Sequence, residues 1–177
     1  EYDTIADLES DLVDMIELDL KNGFLHEDIM IVDLAKWETA QNYEIFKKYS
    51  NFRLNTALAG DTNPNVFFEK EKIIYSYVHR AKGNEAYKIY IVNSQLSMTK
   101  FLRDQWRNRL FTAMTRSKWQ VVLLSVKGSD ADELINELDT VRNNGYRMIF
   151  EYPNAEQIAK VKKLSKQNLK TTKAIED

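Results

Sequence analysis

The sequence predicts an α/β domain: a layered architecture with a mainly parallel sheet flanked by helices. Three observations carry this. Short β-branched runs alternate along the chain with stretches of helical apolar spacing. One run, "WQVVLLSV" (119–126), is almost continuously apolar, as a strand covered on both faces would be. The 177 residues are 44% hydrophobic and 29% charged, enough for one well-filled globular domain.

Each element has its own signal. Ile5, Leu8, Leu12, Met15, Ile16 and Leu20 recur at helical spacing, so a helix is expected over 4–22, with Gly23 as a left-handed stop. "DIMIVDL" (28–34) reads as a buried strand. A helix over 37–49 places Ala40, Tyr43, Phe46 and Tyr49 on one face. The stretch 50–66 holds turn-forming residues without a period and reads as a long loop. "KIIYSYV" (72–78) and "YKIYIVN" (87–93) are strands, interrupted by "HRAKGNEA". A helix over 100–116 has Phe101, Leu102, Trp106, Leu110, Phe111 and Met114 as its apolar side. Ser129 is placed to cap a helix over 130–143 that Gly145 closes. "YRMIFEY" (146–152) is a further strand, and Pro153-Asn154 opens a final helix. One domain over 1–177 is expected, with 170–177 as a frayed tail. Trp37, Trp106 and Trp119 sit on apolar patterns and are assigned to the core. Lys160, Lys162, Lys163 and Lys166 read as a solvated helix face.

Composition narrows the function. There is no cysteine, so disulfides and thiolate metal sites are excluded, and an intracellular, cytoplasmic setting is expected. No metal site is expected. No apolar run approaches the roughly 20 residues that span a bilayer, so no membrane partner is expected. The first residue is Glu, as in a piece of a longer protein. A net charge of -2 does not mark a nucleic-acid binder, but its distribution is uneven. Residues 1–20 hold eight carboxylates and no Lys or Arg, whereas 100–118 hold six cations against Asp104. One acidic and one basic surface region, or two ordinary solvated helix faces, account for this equally.

Two segments carry chemistry. In "HRAKGNEA" (79–86), Gly83 permits positive φ or close backbone approach. His79 and Lys82 are able to contact phosphate, and Glu85 to accept hydrogen bonds from a sugar hydroxyl; a charged turn between strands explains the same letters. In "LFTAMTRSK" (110–118), Arg116 in a last helical turn is favoured by the helix dipole alone. Beside Thr115, Ser117 and Lys118, its guanidinium also suits bidentate capture of phosphate oxygens. Jointly the segments say more, since H-x-x-K-G-x-E arises by chance in roughly one chain per thousand of this length.

"HRAKGNEA" matches motif V, and "LFTAMTRSK" motif VI, of superfamily 1 helicases of the UvrD/Rep kind. Over most of residues 1–126 the chain resembles the second, C-terminal motor domain of that family. The resemblance implies a RecA-like, P-loop NTPase-type fold. It implies an N-terminal RecA-like domain of the same protein as partner, ATP with Mg²⁺ clamped between the two, and single-stranded DNA (or RNA) crossing both. Arg116 matches the γ-phosphate-sensing arginine, a catalytic group. Gly83 and Glu85 match positions at the nucleotide, the Glu near the ribose, and Lys82 is a possible phosphate contact. His79 matches a position facing the single strand. Tyr77 stands where Thr or Ser is usual, able to offer a hydroxyl or stack on a base. Ala86 replaces a usual bulky aromatic, Asp33-Leu34 stands where an Arg is frequent, and the family's N-Y-R-S motif is absent. No G-x-x-x-x-G-K-[ST] occurs, so this chain by itself is expected to have no ATPase. Two alternatives remain: a non-catalytic nucleic-acid-binding or scaffold domain derived from a helicase, and a small nucleotide-binding enzyme using Lys82 and Glu85 as acid and base.

Overall fold

In the computed structural model, which describes residues 1–36, 38–61, 65–147, 154–156, 158 and 159, the core is built around one doubly buried strand. This strand, β1 (Ile29–Asp33), lies at the centre of a five-stranded sheet. Its neighbours are β3 (Ile73–Tyr77) and β4 (Ala86–Val92), with β2 (Thr56–Leu58) beyond β3 and β5 (Ser117–Leu123) beyond β4. The order is β2-β3-β1-β4-β5 and every pairing is parallel. An all-parallel sheet needs cover on both faces, and the helices supply it.

The two-residue period of a strand sorts β1 between two cores. Ile29 and Ile31 join Leu8, Leu12, Val13 and Ile16 of α1 (Ile5–Lys21) and Tyr43 and Phe46 of α2 (Thr39–Ser50). Met30 and Val32 join Val78 and Ala81 of α3 (Val78–Ala81), Leu110 and Ala113 of α4 (Arg103–Met114), and Leu134 of α5 (Ser129–Asn143). Thr4 caps α1 through the Asp7 amide, and Asp7 reaches back to Thr4, a reciprocal pair that fixes the start of the helix. Gly23, at φ 99, ends it as expected.

The sheet, its parallel order and the helices up to 143 agree with the sequence reading, with five corrections. Among the described residues β5 is covered on both faces only in its second half, where Val122 packs on the first core and Val121 and Leu123 on the second, while Lys118, Trp119 and Gln120 are exposed. Among the described residues it pairs only with β4, and its side chains are largely half-exposed. Trp119 is accordingly 66% exposed, its ring 5.6 Å from that of Phe24 rather than in the core. The helix over 100–116 shortens to 103–114, and Phe101, Leu102, Phe111 and Met114 are exposed. Leu110 and Ala113 face the sheet, with Trp106 packed at the edge of that cluster. On α2 the buried side runs through Thr39, Asn42, Tyr43, Phe46 and Ser50, leaving Ala40 and Tyr49 outside. The loop 50–66 contains β2, and α5 begins at Ser129 itself, where the Gly128 carbonyl accepts the Asp132 amide.

The chain divides into two compact units, Glu1–Leu138 and Asp139–Asp177. In the second, Gly145 takes φ 66 and its amide donates to Arg142, closing α5. Residues 155, 156, 158 and 159 are helical. Trp37, most of the 146–152 strand, Pro153, the four lysines of the last helix and the 170–177 tail lie outside the described residues. No described helix is long and apolar enough to cross a membrane.

The uneven charge is used largely inside the molecule. From the acidic helix, Asp19 pairs with buried Lys88 at 2.6 Å, and Asp14 and Glu17 clamp Arg53. From the basic stretch, Arg103 and Arg107 pair with Glu133 and Glu137 of α5, each at 2.6 Å. Glu9 is fully buried; its Oε1 accepts the Tyr75 hydroxyl at 2.7 Å and its Oε2 has no hydrogen-bond partner among the described residues. Burial pushes its carboxyl up to about 8, against the Tyr75 hydrogen bond, with Asp33 adding repulsion.

Between its ordinary value and about 8, the folded chain holds a proton on Glu9 that the unfolded chain releases. Stability therefore falls as pH rises through this window, by roughly 1.4 kcal/mol per pH unit. Urea unfolding between pH 6.5 and 8 checks this, and Glu9→Gln is expected to flatten the slope.

Candidate nucleotide and nucleic-acid interface

The chain crosses from the carboxyl end of β3 to the amino end of β4 through one helical turn and a glycine. Val78 and Ala81 are buried against the sheet, which turns His79 and Lys82 outward. The Asn84 amide donates to Ala81 at 3.0 Å, and Gly83 takes φ 90. Among the described residues a Cβ at Gly83 would meet nothing within 4 Å, so backbone conformation rather than crowding demands the glycine. Glu85 follows, exposed, and Ala86 opens β4 as a small buried residue of the second core.

The second segment arrives from the other side. Leu110 and Ala113 hold α4 on the sheet, and the helix ends at Thr115, one residue before Arg116. The Arg116 carbonyl then accepts the Ala86 amide at 3.1 Å. This bond begins the β4–β5 ladder and brings the two sequence motifs side by side. Lys118 Nζ stands 3.9 Å from the Glu85 carboxylate. Arg116 is half-buried along the last turn of its own helix, where Nε donates to the Thr112 carbonyl and Nη2 to Thr115 Oγ1, both at 3.2 Å. Its position at a helix C-terminus favours the cation.

Gly83, Glu85, Arg116 and Lys118 thus gather at the amino ends of β4 and β5. Tyr77 and His79 lie at the carboxyl end of β3, their ring centroids 5.9 Å apart and edge-on. Ligands of open α/β sheets are expected at carboxyl ends. The two motifs do not both meet that expectation, because the first segment spans the sheet from one edge to the other. His79 shares a cavity of about 280 Å³ with Gln105, Asn108, Arg109 and Thr112 of α4. Burial, then the Arg109, Lys36 and Lys82 charges, hold its imidazole below the ordinary histidine value, hence neutral at pH 7.

Two features escaped the sequence reading. Arg109 was one cation among six in a run, and no spacing rule marks it as the one beside His79. Asp33 ends β1 fully buried, where its carboxylate accepts Ala35 N–H at 2.8 Å, Asn42 Nδ2 at 2.8 Å and Asn93 Nδ2 at 2.9 Å. Burial raises its pKa to about 6 while the two asparagines and the Ala35 amide oppose the rise, so it is ionised at pH 7. Nothing in the sequence joins residues 33, 42 and 93; the sheet order does.

Residues 73–124 match the family model of the UvrD-like helicase C-terminal domain. Among solved structures, the chain resembles the C-terminal domain of a possible DNA helicase from Lactobacillus plantarum WCFS1, at 16% identity and a TM-score of 0.50. That likeness covers 67% of this chain and 66% of the other, and it concerns the fold. No curated protein sequence matches.

Asp33→Asn turns one of the two accepting oxygens into a donor, facing either Asn42 Nδ2 or the pair Asn93 Nδ2 and Ala35 N–H, and is expected to cost about 1–3 kcal/mol in chemical denaturation at pH 7.5.

Proposed function

We propose that this chain, a UvrD-like helicase C-terminal domain in residues 73–124, is the second motor wall of an ATP-dependent helicase or translocase. One observation carries this reading: the Ala86–Arg116 backbone bond. It sets Gly83 and Glu85 next to an arginine that stands outside both cores, while His79 sits at the far end of the same short segment. In this reading the amino-end cluster meets a nucleoside triphosphate held mainly by a neighbouring N-terminal domain. Glu85 takes the ribose hydroxyls, and Arg116 leaves its Thr112 and Thr115 partners to reach the γ-phosphate. The transferred phosphoryl group carries negative charge that needs stabilising in the transition state, and a guanidinium does this without proton transfer. Tyr77 and His79 line the single-strand path. A neutral imidazole there can donate, accept or stack, which suits a strand whose sequence changes as it moves.

Because one rigid segment touches both ligands, the nucleotide state biases the grip on the strand, and the strand biases nucleotide affinity by the same factor. The chain lacks a phosphate-cradling loop and by itself turns over no ATP.

In the intact motor, Arg116→Ala is expected to lower the steady-state ATPase rate by about 10³–10⁵. Thermal stability should stay within about 0.5 kcal/mol, as for other surface positions. A near-normal rate would remove the finger assignment. For His79→Ala, equilibrium titrations should record a larger loss of single-strand affinity than of ATP affinity. Equal losses would mean that the two ends of the segment do not divide the ligands.

A further inference from the structure

The end of α4 is closed by side chains as well as by backbone. A helix leaves its last carbonyls without intrahelical donors. The Arg116 amide would continue α4 by donating to the Thr112 carbonyl, but it donates to Ala113 instead, at 3.1 Å. Two side chains serve the Thr112 carbonyl in its place, Arg116 Nε at 3.2 Å and Thr115 Oγ1 at 3.0 Å. Thr115 Oγ1 also accepts Arg116 Nη2 at 3.2 Å. A hydroxyl has one proton and two lone pairs, so it makes both bonds at once. Arg116 is thus folded back along its own helix by two neutral acceptors. Glu85, the acid of the same cluster, stands 3.9 Å from Lys118 instead.

We propose that Thr115 is a positioning residue for Arg116, its hydroxyl a latch with two settings. In the setting seen here it holds the guanidinium back from the nucleotide. In the other, the guanidinium has left for the γ-phosphate, and the same hydroxyl still donates to the Thr112 carbonyl. Extension of the arginine therefore strands no backbone acceptor. The inference rests on the finger reading above and adds to it the group that holds the finger withdrawn. Neutral acceptors suit this task. A guanidinium bonds phosphate about twice as strongly as it bonds a hydroxyl or carbonyl, so the latch restrains the finger without trapping it, as a carboxylate would. The latch sets the fraction of extended finger while no strand is bound, and hydrolysis in that state scales with the fraction. Thr115 is exposed, so the core does not depend on its side chain.

The test compares Thr115→Val, which lacks the hydroxyl, with Thr115→Ser, which keeps it. In the 177-residue chain, the ¹⁵N heteronuclear NOE of Arg116 Nε reports whether the side chain is held. It should be high in the parent and in Thr115→Ser, and fall to the level of a free arginine side chain in Thr115→Val. In the intact motor, Thr115→Val is expected to raise the strand-free ATPase rate roughly two- to tenfold, the equilibrium worth of one hydrogen bond. The ratio of strand-stimulated to strand-free rate should fall by the same factor, and Thr115→Ser should restore it. A merely structural hydroxyl would lower both rates together and leave the ratio as it was. If Arg116 Nε stays ordered in Thr115→Val, the latch is wrong. It is equally wrong if the ratio does not fall while Arg116→Ala still abolishes turnover, and in that case the finger stands. A near-normal rate in Arg116→Ala removes the finger and the latch with it.

Discussion

The amide of Ala86 donating to the carbonyl of Arg116 is the contact on which the proposed functional arrangement depends. It is an ordinary ladder bond between parallel strands. Parallel strands need a crossover, and here the crossover from β4 to β5 is the short helical turn Ser94–Met98 followed by α4. The strand after that helix must therefore start beside the strand before it. Arg116, one residue ahead of β5, is delivered next to Glu85, one residue ahead of β4. A slip in the β4–β5 register would separate them, and the irregularity between Ala86 and Lys88 lies at this point.

The central strand imposes a second constraint. β1 buries apolar side chains on both faces and then ends in a carboxylate, so the charge lies at the sheet edge with no access to solvent. Three N–H donors compensate Asp33, contributed by its own chain two residues on, by α2 and by the end of β4. A buried carboxylate satisfied this way fixes the ends of neighbouring elements against one another. The same network orients Asn42 and Asn93, which line a cavity of about 450 Å³ together with Arg109.

Electrostatics outside the site mostly joins elements. The acids of α1 are matched by Arg53, Lys88 and the Tyr75 and Tyr90 hydroxyls, and the arginines of α4 by α5. The half-exposed pairs among them, Arg103–Glu133 and Arg107–Glu137, contribute little stability each. Their effect is subtractive: with Arg103 and Arg107 occupied, the α4 cation facing the cavities is Arg109, stacked on Trp106.

The sequence by itself determined the parallel α/β plan, the positions of α1, β1, β3, β4 and α5, and the two motifs, because apolar periodicity and glycine placement are local signals. It also contained Arg116, Glu85 and His79, whose proposed roles rest on residue type and order. Sheet order alone decided the rest. An apolar run such as 119–126 reads as a central strand, yet β5 is held by β4 on one side among the described residues, and Trp119 emerges into solvent. β2 is three residues long in a turn-rich stretch and becomes a strand through its pairing with β3. The Asp33–Asn42–Asn93 network and the cavity shared by His79 and Arg109 join residues distant along the chain, and hydrophobic patterning carries no information about which polar groups a fold will bury together.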